Sequence, residues 1–254
     1  MRIAGVAALL SLALLIALAA TAGTQTAAAG GRGAHEEFTC GGEPATILGS
    51  TGPDTIVGTP GPDVIMARAG DDTIAGRGGD DIICGGIGAD TIFGGEGNDS
   101  IEGGCCGYED VIHGGGGDDR IDGDRGLLLV TGGDGDDEIS VRIAQRVFGN
   151  DGDDTINVPG VVLDVVRGGE GNDTLSVEGS SSLLYGGPGD DELFGSKHGQ
   201  RLFGGPGHDT ITDRGGGTGS DEMRGGPGND ILRGASRTQL MWGGRGNDEL
   251  DGGS

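Results

Sequence analysis

The chain has 254 residues, of which 61 are glycine and only 3% are aromatic, and its formal net charge is -25. So little apolar surface cannot close an ordinary core, and glycine at this level adds backbone entropy that folding must overcome. The charge makes nucleic acid an unsuitable partner and asks for a cationic one; regularly placed carboxylates suit small hard cations better than a basic protein.

Residues 1–22 read as a secretory signal peptide. Arg2 supplies the charged start, Ile3 to Ala20 the apolar run, and Ala20-Thr21-Ala22 an A-x-A site before Gly23, with Ala27-Ala28-Ala29 as a second site. The run is also about long enough for a membrane anchor, but alanine-rich runs insert weakly and small residues follow at cleavage spacing. No later segment is apolar and long enough to span a bilayer, so a secreted, extracellular protein is expected. Residues 23–39 then form a flexible linker, 40–48 an N-terminal cap and 49–254 a repeat domain. Four cysteines in an exported chain imply two disulfides with three possible pairings. The easiest set joins Cys40 to Cys84 and leaves the adjacent Cys105 and Cys106 as a strained pair or free thiols.

From Gly49 to Asp251 a nine-residue phrase recurs, G-G-x-G-x-D-x-U-x with U aliphatic, as in Gly94 to Glu102 and Gly186 to Phe194. Its sixth-position aspartates run Asp54, Asp63, Asp72, Asp81, Asp90 and Asp99 without a slip. Asp110 arrives two residues late, because Cys105 and Cys106 lengthen that turn, and Asp119 restores the step. Strong copies then fall about every eighteen residues, at Asp137, Asp154, Asp173, Asp191, Asp209, Asp230 and Asp248. The stretches 123–131, 177–185, 195–203 and 234–242 are degenerate repeats. They keep the aliphatic eighth position (Val130, Leu184, Leu202, Met241) and lose the aspartate.

Six glycine-rich residues fit a turn, and the last three fit a short strand whose middle side chain points inward. Two phrases close one flattened coil, so an all-β fold is expected: a parallel β-roll or β-solenoid of around eleven coils stacked about 4.8 Å apart, roughly 50 Å long. Repeats of equal parity then stack along one edge. Asp63, Asp81, Asp99, Asp119, Asp137, Asp154, Asp173, Asp191, Asp209, Asp230 and Asp248 form an unbroken edge. Asp54, Asp72, Asp90 and Asp110 form a partial one, followed only by Asp164 and Asp221. One carboxylate per turn with free carbonyls beside it offers Ca2+ oxygen ligands from successive turns, and roughly thirteen such gaps would add about +26.

The phrase resembles the hemolysin-type calcium-binding repeat of the repeats-in-toxin family, over about Gly49 to Asp251 and in sixteen good copies. The resemblance implies a parallel β-roll, multiple bound Ca2+ ions, and each sixth-position aspartate as a side-chain ligand with its turn supplying carbonyls. Folding on calcium follows, since such sites exist only between stacked turns. Many relatives carry an enzyme or pore-forming region ahead of the repeats. Here His35-Glu36-Glu37-Phe38-Thr39 is not H-E-x-x-H and no G-x-S-x-G elbow occurs, so no enzyme is expected.

After Asp122, Arg125, Arg142, Arg146, Arg167, Lys197, Arg201, Arg214, Arg224 and Arg237 fall in the repeats that lack aspartate. They read either as solvated charge balance or as an anion-binding edge for a cell-surface or matrix polysaccharide, which would make the chain a calcium-stiffened adhesin or scaffold. Thr55, Thr73 and Thr91 form a short outward file explained by ordinary strand preference. His113, His198 and His208 read as surface histidines, with no nucleophile to serve.

Overall fold

The computed structural model describes residues 38–104, 109–179, 182–195, 199–215, 221–235 and 239–253. The expected signal peptide, most of the expected linker, Cys105, Cys106, Lys197, His198 and Arg237 lie outside the described residues, as does the side chain of Arg125.

Phe38 to Ala45 form a small antiparallel hairpin in which Thr39–Cys40 pairs with Glu43–Pro44. Gly41 and Gly42, both at positive φ, make its turn, which a residue with a side chain enters only at a cost. Cys40 is disulfide-bonded to Cys84, 5.8 Å away between Cα atoms. The easiest of the three pairings is thus the one that forms.

All the remaining described strands, from Ile47–Leu48 to Glu249–Asp251, form one 21-stranded parallel sheet in which most strands pair with the strand two places on, while the long strands Arg120–Asp134 and Glu138–Asp151 pair with each other and with their immediate neighbours in the chain. The chain therefore winds as a solenoid with two sheet faces, as the phrase predicts. On one face the inward column is Ile56, Ile74, Ile92, Ile112, Val130, Val147, Val166, Leu184, Leu202, Met223 and Met241. On the other it is Ile65, Ile83, Ile101, Ile121, Ile139, Ile156, Leu175, Leu193, Ile211, Leu232 and Leu250. Nearly all are fully buried, and together they are the core; Leu250, on the last rung, is 46% exposed. At about 25 cal/mol per Å2 this single apolar side chain per repeat is a thin source of stability.

Thr55–Val57, Leu183–Tyr185, Arg201–Phe203 and Ile231–Arg233 are the expected three-residue units, but many strands are longer. Val64–Ala69, Thr73–Gly78 and Thr91–Glu96 each run six residues, through the aliphatic position and into the opening glycines of the next phrase. The ladder continues there because Gly95 and Gly115 stack directly over each other at positive φ. A Cβ on Gly115 would overlap the Gly95 carbonyl. Arg120–Asp134 and Glu138–Asp151 are longer still, spanning a whole degenerate repeat with register shifts at Arg125/Leu127 and Ala144/Arg146. Without a glycine-aspartate turn, the backbone rounds the edge as a continuous bent strand.

Candidate metal centre

On the full edge every sixth-position aspartate after Asp63 accepts the backbone amide of the ladder aspartate before it. The amide of Asp63 donates to Asp81 Oδ1 (2.8 Å), Asp81 to Asp99 (2.9 Å), Asp99 to Asp119 (2.8 Å) and Asp119 to Asp137 (2.8 Å). The series continues through Asp154, Asp173, Asp191, Asp209 and Asp230 to Asp248. The partial edge repeats it from Asp54 through Asp72 and Asp90 to Asp110, where it ends. The structure thus aligns all fifteen sequence-predicted aspartates in the two ladders that parity predicts.

One oxygen of each carboxylate is used in this way and the other is not. Oδ2 of Asp72, Asp81, Asp90, Asp99, Asp119, Asp137, Asp154, Asp173, Asp191, Asp209 and Asp230 is buried with no hydrogen-bond partner. An unpaired buried charge of this kind is expensive, and native folds seldom leave one uncompensated. The first turn of each edge differs: Oδ2 of Asp54 and Asp63 accepts the amides of Ser50 and Thr59, both at 2.6 Å. In later turns the second position is Gly, Arg68, Arg77 or Asn150 at positive φ.

Burial dominates the electrostatics. It raises Asp99, Asp119, Asp191 and Asp209 to about 7, Asp154 to about 8, and Asp90, Asp110, Asp137 and Asp173 to about 6. The neighbouring amide pulls each value back down, and carboxylates above, below or beside it push it up again. A column of like charges in a partly dry edge asks for either protons or a cation.

The space beside each orphaned oxygen is reserved by glycine. A Cβ at Gly94 would overlap Asp99 Oδ2 and sit 2.5 Å from the Gly114 carbonyl oxygen of the next coil; Gly76 and Gly114 stand likewise to Asp81 and Asp119. Carboxylate and carbonyl oxygens from consecutive coils therefore face a gap that exists only because the first position has no side chain. Among the described residues no three His, Cys, Asp or Glu side chains converge, so such a gap is built from carboxylate plus backbone carbonyl. That donor set, all oxygen, suits a hard cation such as calcium.

Where the carboxylate is absent, the gap is filled. Along the partial edge the first position becomes Val141, Val158 and Val177, each buried, and Leu127 and Ala144 pack beside them. Further on, Gln200 takes the sixth position: its side-chain amide donates to the Gly179 carbonyl (2.7 Å) and its backbone amide to Asp221 Oδ1 (2.8 Å). Asp213 accepts from the Gly215 amide (2.8 Å) and from Gln239.

A second ladder was not foreseen from the sequence. Fifth-position side chains accept amides from the following coil: Asn98 donates to Asp80, Asp118 to Asn98 and Asp136 to Asp118, each at 3.0 Å. The ladder runs on through Asp153, Asn172, Asp190 and His208 to Asn229. The signal is present in the sequence as Asn or Asp at the fifth position of the phrase, as in Asn98, Asp118, Asn172 and Asn229, residue types that also tolerate left-handed turns.

The arginines are also placed differently from the expected edge. Arg146, Arg167, Arg201 and Arg224 project from the strands of one sheet face, in register with neighbouring strands. Arg142 pairs with Asp124 (3.2 Å) and Arg214 lies over the Phe194 ring (4.0 Å). His113 is not a simple surface residue: it stacks on Phe93, meets Thr131 at 2.8 Å, and burial lowers its pKa.

A parallel β-solenoid with aspartate ladders at its turns defines the class. A family model described as "RTX calcium-binding nonapeptide repeat (4 copies)" matches residues 48–83, 84–104, 107–126, 145–158, 167–197, 181–211, 215–236 and 240–254. The chain belongs to this family of calcium-binding repeats. Among curated proteins no sequence matches it. Among solved structures it is similar to a hyperactive, Ca2+-dependent, β-helical antifreeze protein from an Antarctic bacterium, at 24% identity and a TM-score of 0.42, over 71% of this chain and 66% of that one. The chain thus spans just under two thirds of that protein's length.

Proposed function

We propose that this is an exported, non-catalytic protein whose solenoid folds as calcium enters between successive turns. The observation that carries the reading is the row of buried, partnerless Oδ2 atoms, each but that of Asp72 beside a gap kept open by a first-position glycine; beside Asp72 the first position is the small, buried Ala67. Calcium bound there would supply the positive charge the ladder lacks. Asp72, Asp81, Asp90, Asp99, Asp110, Asp119, Asp137, Asp154, Asp173, Asp191, Asp209, Asp230 and Asp248 would hold the ions with first-position carbonyls. Asp54 and Asp63, whose Oδ2 is already engaged, would be the weakest contributors. Export fits both the apolar N-terminal run and the disulfide. Extracellular calcium at about millimolar concentration would fill even weak sites.

Calcium titration into the chelated chain, followed by circular dichroism and by equilibrium counting of bound ions, tests this. The expected result is a cooperative gain of β-structure with several ions per chain. Equal β-content in excess chelator would refute coupled folding, and no bound ions would refute the calcium reading. A second reading, a calcium-stiffened scaffold that holds surface polysaccharide, is favoured by the arginines gathered on one sheet face.

A further inference from the structure

One outward file on the face that carries Ile56 to Met241 changes character along the solenoid. From Arg167 it runs Arg167, Tyr185, Phe203, Arg224, Trp242, one residue per coil. Tyr185 and Phe203 stack with centroids 4.9 Å apart and planes within 15°. Arg167 caps the Tyr185 ring at 5.0 Å, and Arg224 lies 5.7 Å from the Phe203 centroid and 4.9 Å from that of Trp242. Arg201, in the adjacent file, also covers Phe203 at 5.2 Å. All three guanidinium groups are exposed.

Two features make this strip receptive to anions despite the net charge. Its only acidic member is Glu222, shared between Arg201 (2.7 Å) and Arg224 (2.6 Å), and Arg167 makes no ion pair among the described residues. The acidic column along the neighbouring rim, Asp134, Asp151 and Glu170, also stops there, and prolines 188, 206 and 227 follow at the same phrase position. The opposite face, by contrast, carries Glu102, Asp122, Glu138, Glu192 and Glu249 in its outward files.

The stacking decides the kind of anion. The faces of Tyr185 and Phe203 are taken up by each other and by guanidinium, and Arg224 lies over Trp242, so the middle of the strip offers no platform for a base or a neutral sugar, which bind by stacking. Arg167, over the Tyr185 ring and without an ion pair among the described residues, keeps its N–H groups for carboxylate or sulfate, while Arg224 gives Nε and Nη2 to Glu222 and keeps Nη1 to donate. The donors repeat along a straight line, with Arg167 and Arg224 three coils or about 14 Å apart. We infer that this strip binds a linear anionic glycan, bearing carboxylate or sulfate groups, laid along the solenoid axis. The inference rests on the calcium-folded solenoid proposed above, because only the stacked coils bring these residues into file.

The test uses the full calcium-loaded chain and three probes of equal length: a polyuronate, a sulfated glucan and the unmodified neutral glucan. Binding is read by calorimetry, and circular dichroism of each sample reports the calcium-induced fold separately. Loss of that signal in the wild type would fail the calcium reading, whereas glycan binding fails in the calorimeter alone. At least one anionic probe should bind, with affinity falling as salt rises, and the neutral glucan should not. Arg167→Gln with Arg224→Gln should weaken binding at least about tenfold, and Arg233→Gln, on the opposite face, should leave it unchanged. Arg167→Lys with Arg224→Lys keeps the charge and should still weaken binding severalfold, because the planar fork is lost. Binding by neither anionic probe, unchanged binding in both double variants, equal binding of the neutral glucan, or tighter binding of single-stranded DNA would each overturn the inference.

Discussion

Gly168→Ala isolates the gap that a first-position glycine preserves. The added methyl would overlap Asp173 Oδ2 and lie 2.7 Å from Asp173 Cβ. Asp173 cannot swing aside cheaply, because its Oδ1 accepts the Asp154 amide at 2.9 Å and its own amide donates to Asp191 at 2.9 Å. Overpacking of this kind costs about 1–3 kcal/mol without any metal. If one calcium site is lost as well, at calcium tenfold above its dissociation constant, a further RT ln 11, about 1.4 kcal/mol, disappears. The variant should thus lose about 3–4 kcal/mol in calcium, about 2 kcal/mol of it from overpacking alone. Gly116→Ala is the control, since its Cβ would meet only the mobile end of Glu96 at 3.3 Å and should change stability by less than about 1 kcal/mol. Urea unfolding at fixed calcium, with the calcium midpoint followed by circular dichroism, reads both. A Gly168→Ala protein with wild-type midpoint and stability, or a Gly116→Ala protein equally damaged, would refute the reasoning.

Acid should substitute for calcium in part. Ladder carboxylates whose folded pKa stands at about 6 to 8, above the ordinary 3.8, bind more protons folded than unfolded. Their protonation therefore stabilises the metal-free fold fully below about pH 4, and that contribution is lost as pH rises through 6 to 8. Circular dichroism in chelator should show β-content falling over that window, and the calcium midpoint should fall as well; pH-independent curves would contradict this. Val177→Ala should cost about 2 kcal/mol by leaving a cavity yet leave calcium stoichiometry unchanged in equilibrium dialysis, because its turn has no ladder carboxylate. Replacing Cys40 and Cys84 by serine opens a cross-link of sequence separation 44 and should lower stability by about 4 kcal/mol in denaturant titrations, while calcium binding by the distal coils persists.

The two inward columns and two aspartate ladders were legible because each depends on a single residue at a fixed period: Ile92 and Asp99 can be placed by counting. What escaped depends on pairs of positions. Val158 and Val177 read as ordinary strand residues until the fold shows that they stand, on the partial edge, at the phrase position that Gly94 leaves open beside Asp99 on the full edge. Ser50 and Thr59 look like small turn residues, yet they supply the amides that close off Asp54 and Asp63. The stretch 123–131 reads as a degenerate repeat, and only the pairing of the bent strands over 120–134 and 138–151 shows that the edge is rounded without a turn. Arg167 and Arg224 were assigned to an edge by repeat parity, whereas the ninth position of a phrase lies on a sheet face.

The asymmetry between the edges divides the solenoid energetically. Through Asp110 each coil has a carboxylate on both edges, and the disulfide ties the cap to the strand Ile82–Ile87. Beyond it one edge keeps its ladder and the other is held by Leu127, Val141, Ala144, Val158 and Val177, then by the Gln200 and Asp213 groups. Coils stacked in one dimension depend only on their neighbours, so stability is set coil by coil. The early coils answer to calcium on two sides; the later ones answer on one, and the edge freed from that requirement rounds onto the face where the aromatic and arginine file begins. Loss of aspartate there marks an exchange of metal-dependent turns for apolar packing, with the aliphatic column unbroken through both halves.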